Sequence, residues 1–185
     1  MRSGATKTAA ARTTERLTLT PVSSADGATF HAYWVNNRAH LQPWSPIREG
    51  LDTLAYWDAW AERAAAAEQA GTAVHFGIDY EGSMIGQINL TEIVRGAFQA
   101  CYLGFSLAAD RQGKGYVREA AKSIIAFAFD DLGLHRIMAN HMPENVRSAA
   151  TLAALGFQKE GFAQAYLCIA GTWRDHVLTA LTKAD

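Results

Sequence analysis

Gln112, Gly113, Lys114, Gly115, Tyr116 and Val117 are the residues whose types and order most clearly imply chemistry. Ahead of them residues 102–107 form an apolar run that predicts a buried strand. Behind them residues 118–131 predict a helix with an apolar stripe at Val117, Ala120, Ala121, Ile124 and Ala128. A strand that passes through a glycine turn into a helix aims free backbone N–H groups and the positive end of the helix dipole at one point, which suits a phosphate or pyrophosphate. Gly113 and Gly115 keep Cβ atoms away where such a ligand must approach. Spacing excludes two other phosphate loops. A P-loop needs Ser or Thr after its Gly-Lys pair, where Gly115 stands, and a dinucleotide fingerprint needs a third glycine, where Arg118 stands. A glycine turn with no ligand is the alternative that these residues alone leave open.

The segment resembles the pyrophosphate loop of the GNAT superfamily of acetyl-CoA-dependent N-acetyltransferases, which runs Gln or Arg, two residues, Gly, one residue, then Gly or Ala. Gln112 and Gly115 match, and Val117 departs with a larger side chain. Asn145 and Ser148, followed by Leu155, Gly156 and Phe157, are similar to the second cofactor segment of that family. The resemblance implies acetyl-CoA as co-substrate, held by residues 112–117, Asn145 and Ser148. It also implies a strand before the loop that splays from the strand after the helix. The exposed backbone of Phe105, Ser106 and Leu107 would then pair with the pantetheine arm.

The resemblance narrows to the RimJ-type branch, bacterial enzymes that acetylate the N-terminal alanine of a small-subunit ribosomal protein. It is carried by residues 37–48, 89–102 and 136–145 and by Gly171, Trp173, Arg174, Asp175 and His176, and it extends from about Arg16 to Leu181. The chain has Ser45 where relatives can carry an acid able to hold a substrate ammonium. The implied reaction is direct attack of a neutral amine on the thioester in a ternary complex, with an oxyanion donor near residues 105–107. Ser148 matches the position that donates to the CoA sulfur in RimL relatives; by itself it could also cap the following helix, and Asn145 could be a turn residue. The RimL glutamate falls on Leu167, which leaves Glu92, Asp175 and His176 as candidate bases. Asp175 and His176 are strand neighbours, so at most one faces the cleft; Arg174 and Asp175 also read as a structural ion pair. Trp44, stiffened by Pro43 and Pro46, is either a substrate wall or a cap on the core, and Arg95 is placed with it on the substrate side.

These residues need a scaffold, and the rest of the chain supplies one. Residues 1–14, rich in Ala and Thr, are expected to be a disordered tail before a single GNAT domain over residues 15–185. Leu17, Leu19 and Val22 alternate as a first strand. Ser23 and Asp26 resemble a capping box ahead of a helix that buries Phe30, Tyr33 and Trp34. A second helix over residues 52–70 carries Leu54, Trp57, Ala61 and Ala65, with Trp57 and Trp60 as core, and stops at Gly71. Val74, Phe76 and Ile78 turn at Glu81 and Gly82 into a partner strand over residues 84–94. Strands follow at residues 100–108 and 136–142, then a helix at 148–155 and two strands within 162–181. This order and the resemblance together imply an α/β fold, a twisted mixed sheet with helices on both faces.

The 185 residues, 49% hydrophobic and 19% charged, suffice for one sizeable core, and a formal charge of -1 supplies no bulk field for nucleic acid or an anionic membrane. No apolar run could span a bilayer and the start lacks a secretory pattern, so a cytoplasmic protein is expected. Cys101 and Cys168 read as packed reduced thiols, and the histidines lack metal-ligand spacing, so no metal is expected. The expected partner besides acetyl-CoA is a protein or peptide N-terminus, ribosomal in the RimJ-type reading, met by a monomer or homodimer. A small-molecule amine acetyltransferase, favoured by Ser45, and a non-enzymatic CoA-binding regulator are the other classes.

Overall fold

The computed structural model describes residues 9–183. Its elements are β1 (Arg12–Thr13), β2 (Thr18–Pro21), α1 (Gly27–Leu41), α2 (Leu54–Gln69), β3 (Val74–Tyr80), β4 (Ser83–Val94), β5 (Ala100–Leu107), α3 (Tyr116–Ala126), β6 (Arg136–Met138), α4 (Val146–Ala154), β7 (Gln158–Ile169) and β8 (Thr172–Thr182). A 3-10 turn, Gln42–Trp44, follows α1, and a π-helical turn, Phe127–Asp131, extends α3. The eight strands form one mixed sheet in the order β1-β2-β3-β4-β5-β6-β8-β7. Every pairing is antiparallel except β5 with β6.

Strand alternation divides the core between the two faces. On β3, His75 points to the α2 side, where its ring lies 5.4 Å from Trp60, and Phe76 points the opposite way to Phe127, 5.8 Å away at the end of α3. The α3 face buries Ala120, Ala121, Ile124 and Ala128 completely against Phe76, Ile78, Ile88 and Leu90. The other face holds Phe30, Trp34, Trp57 and Trp60, with the Trp57 indole donating to Leu51 O at 2.8 Å. The two-residue turns of the β3–β4 and β7–β8 hairpins each pair a non-glycine at positive φ with a glycine, Glu81–Gly82 and Ala170–Gly171, a geometry that matches strand twist.

Several local expectations are corrected. Residues 1–8 lie outside the described part. Residues 9–14 are not a tail: Arg12 pairs with Leu19, Ala9 N donates to Glu68 Oε1 at 2.7 Å, and Thr14 Oγ1 donates to Glu119 Oε1 at 2.6 Å. The Ser23–Asp26 pair forms a turn before α1, Asp26 Oδ2 accepting from Ser23 N at 2.6 Å, and the helix starts only after Asp26. The helix also runs to Leu41, taking in residues read as loop, because Pro43 first blocks it in the next turn. Cys101 is buried, which pushes its thiol up to about 12, whereas Cys168 is exposed. No helix among the described residues is long and apolar enough to cross a membrane.

Candidate active site

The site exists because β5 and β6 part. They pair only over Ala100, Cys101 and Tyr102 opposite Arg136, Ile137 and Met138. Beyond that, β5 stays with β4, Gly86 opposite Leu107, while the other chain turns to β8: Ala139 N donates to Thr179 O at 3.0 Å and His141 N to Val177 O at 3.2 Å. Ala108 N donates to Ile85 O, so by antiparallel alternation the backbone groups of Leu103, Phe105 and Leu107 face the edge that β6 has left. A cavity of about 180 Å³ fills the opening, lined by Leu103, Gly104 and Phe105 on one side and by residues 139–142, Asn145, Ser148, Trp44 and His176 on the others.

At the open end of β5 the chain makes a 3-10 turn, Ala109–Arg111, and enters the glycine loop. Gly113 has φ of +74° and Gly115, the N-cap of α3, has φ of +80°. As at every helix start, the N–H groups of the first turn of α3 have no intrahelical acceptors, and the glycines keep Cβ atoms away from the loop that leads to them. The loop is braced from three directions. The Gln112 amide donates to His40 Nε2 at 2.7 Å and accepts from Arg147, tying the loop to α1 and α4. Arg16 donates to Lys114 O at 3.0 Å, lies 4.6 Å over the Tyr116 ring and pairs with Glu119 at 2.7 Å. Burial alone would raise the Glu119 carboxyl, but hydrogen bonds from Thr14 and Arg16 hold it below the ordinary range, so it stays ionised beside the loop. Nothing in the local sequence announces this brace, whose partners lie 103 residues apart.

The second segment is built on a cap. Asn145 is the N-cap of α4 and its Oδ1 accepts from Ser148 N at 3.1 Å. Ser148 is therefore not the cap; it stands in the first turn, lining the cleft, and among the described residues its hydroxyl has no hydrogen-bond partner. Ser106 turns its hydroxyl to Tyr33 at 3.0 Å, where burial pushes the Tyr33 phenol up to about 12. Its contribution to the cleft would come from the backbone course of β5, and the free-edge groups belong to its neighbours.

The candidate bases separate. Asp175 accepts from Ala165 N at 2.8 Å and stabilises a bulge in which residues 164–166 of β7 lie opposite Asp175 alone, between the pairs Ala163–His176 and Leu167–Arg174. Arg174 pairs not with Asp175 but with Glu144 at 2.7 Å. Glu92 is exposed, at positive φ where β4 loses register with β5, and does not line the cavity. Leu167 is 45% exposed and also outside the lining. His176, 5% exposed, does line it.

On the substrate side Trp44, 40% exposed, lines the cavity. Ser45 uses its hydroxyl on Leu41 O at 2.9 Å and its carbonyl on Ala170 N at 2.9 Å, which fixes the loop against the β7–β8 turn. Arg95 lies elsewhere, donating to Leu132 O at the C-terminal end of the α3 extension, where a cation suits the helix dipole. The sequence reading did not single out Tyr166. The bulge brings its hydroxyl to Asn140 Nδ2 at 3.2 Å and Tyr102 OH at 3.4 Å, and the Tyr102 phenol is pushed up to about 12, first by that bond and then by burial. This chain crosses the sheet where β5 and β6 diverge.

A parted parallel pair, a glycine loop at its mouth and a capped helix presenting a hydroxyl together form one cleft at the open end of β5. The acetyltransferase (GNAT) domain pattern matches residues 16–158, and the chain belongs to that family. It is 43% identical over 178 residues to the ribosomal protein uS5-alanine N-acetyltransferase of Escherichia coli, covering 94% of this chain and 91% of that one. Among solved structures it is similar to a ribosomal-protein-S5-alanine acetyltransferase from Vibrio fischeri, with a TM-score of 0.89, 36% identity and coverage of 95% and 97%. It is also similar to RimJ of Mycobacterium smegmatis in complex with CoA-disulfide, with a TM-score of 0.85, 31% identity and coverage of 90% and 81%. The protein is an acetyltransferase of the GNAT type, and acetyl-CoA is the acyl donor of that family. Among the described residues no group of His, Cys, Asp and Glu is placed to hold a metal ion.

Proposed function

We propose that the protein transfers acetyl from acetyl-CoA to the N-terminal α-amine of a polypeptide, of the uS5-alanine kind named for its relatives. The pyrophosphate of the donor would rest on the backbone of residues 112–117, its pantetheine arm would run along the free edge at Phe105 and Leu107, and its sulfur would end near Ser148. The acceptor would enter beside Trp44. The observation that carries the choice of amine is the lining of the cleft, in which no carboxylate occurs among the described residues. An α-amine with a pKa of about 7.7 to 8.0 loses its proton at pH 7 for about 1.1 kcal/mol, whereas a lysine near 10.4 costs about 4.6 kcal/mol. A neutral cleft can manage the first; the second is a factor of several hundred in rate.

A peptide with an N-terminal alanine and one internal lysine tests this. After incubation with acetyl-CoA, fragment mass spectra should place acetyl groups on the α-amine. Acetylation mainly on the lysine would defeat the proposal.

A further inference from the structure

We propose that His176 is the group that takes the proton from the acceptor amine; this rests on the α-amine reading and names the residue that reading leaves open. Its Nδ1 lies 3.1 Å from Arg174 O. A carbonyl can only accept, so Nδ1 carries the hydrogen and, in the neutral ring, Nε2 carries the lone pair. Nε2 has no hydrogen-bond partner among the described residues. Every buried side-chain nitrogen and oxygen there has one, so Nε2 is not sealed in, and the opening that His176 lines is the cavity it shares with Ser148 and Trp44. The ring is also held in place. Ala163 of β7 lies opposite His176, and the Tyr166 ring, fixed through Asn140 and Tyr102, lies 5.4 Å from the imidazole. Asp175 then acts at one remove, as the residue that stabilises the bulge carrying Tyr166.

The other titratable and charged groups around His176 are few. Tyr166 presents its ring from β7, and Arg174 and Glu144 neutralise each other at the surface. His141 lines the same cavity with Nδ1 3.0 Å from Met142 O, but it belongs to the segment leading to Asn145 and Ser148, the sulfur side. A base drawn from β8 and an acid drawn from α4 divide the two proton transfers between separate elements. In the reaction the ammonium loses two protons. The first passes to Nε2 and on to water, and the freed lone pair forms the N–C bond. As the adduct collapses the C–S bond breaks with its electron pair on sulfur, sulfur takes the Ser148 hydroxyl proton, and the second amine proton restores the hydroxyl.

The test compares pH–rate profiles of kcat/KM on the α-amine peptide for the parent, H176Q and H141Q. H176Q should bind CoA as the parent does, lose on the order of a hundredfold or more in rate, and keep only the acid limb set by the peptide's own α-amine at about 7.7 to 8.0; H141Q should keep the parent's profile. An H176Q enzyme with the parent's rate and profile, or an H141Q enzyme whose acid limb moves to that of the free α-amine, overturns the assignment. Nitrogen NMR of the parent's imidazoles gives a second reading that needs no variant and no turnover. His176 should be the neutral Nδ1–H tautomer, and an Nε2–H tautomer would sink the idea. A parent that leaves α-amines untouched counts against the proposed function, whereas an active parent with an unaffected H176Q counts against His176 alone.

Discussion

Replacing Gly115 by valine probes the proposed donor site, where backbone geometry would do the binding. Gly115 sits at φ +80°, ψ 2° as the N-cap of α3. A Cβ there would meet only an Arg16 guanidinium nitrogen at 3.5 Å, an ordinary contact, so the protein's own interior does not resist the added carbon. The cost is conformational: a non-glycine residue held in this region carries about 1 to 3 kcal/mol of strain, and a β-branched one belongs at the upper end. If the loop keeps its shape, that strain appears as lost stability. If it relaxes to negative φ, the N–H groups of Tyr116 and Val117 swing off their common point. In both cases the valine methyls would crowd the loop backbone on which the pyrophosphate is proposed to rest. Calorimetric titration with CoA should show affinity reduced at least tenfold, or about 1.4 kcal/mol, alongside a thermal midpoint that reports how much strain the free protein keeps. Parent-like affinity in the valine variant would place the pyrophosphate elsewhere.

Ser148→Ala should retain CoA affinity and thermal midpoint while losing roughly a hundredfold in turnover. Asn145→Ala should instead cost about 1 kcal/mol in stability, because Asn145 is the helix cap; urea titration of both variants separates the roles, and a large stability loss in the Ser148 variant would contradict the cap assignment. Acid should weaken the fold through His75, whose burial between the sheet and Trp60 pushes it down from 6.5 to about 4. Because the folded value is depressed, its stabilising effect is complete above about pH 6.5 and is lost as pH falls toward 4, amounting to about 2 kcal/mol by pH 5. Replacing His75 by glutamine should flatten that part of the stability profile, and an unchanged slope between pH 7 and 5 would refute the assignment.

Where the chain's information is local, the sequence alone determined the outcome. The alternation of Val74, Phe76 and Ile78, the stripe from Ala120 to Ala128, Gly71 after α2 and the glycines of residues 112–117 each act through neighbours within a turn or two, so their geometry could be read without a partner. The composite resemblance of those pieces was enough for the mixed sheet with helices on both faces. Tertiary structure decided what depends on distant chain. Arg12 looks like a tail residue until Asp131, more than a hundred positions away, gives it a partner, and Arg16 finds Glu119 across a similar separation. Arg95 resembles a cleft residue by its place in sequence, but strand direction carries it to the end of β5 away from the glycine loop, beside Leu132. Asp175 and His176 show the difference within one dipeptide. Strand periodicity alone required that they face opposite ways. Which one meets the cleft depended on the bulge in β7 and on β6 staying with β8 rather than β5, because register across a sheet is set by long-range pairing that no neighbouring residue encodes.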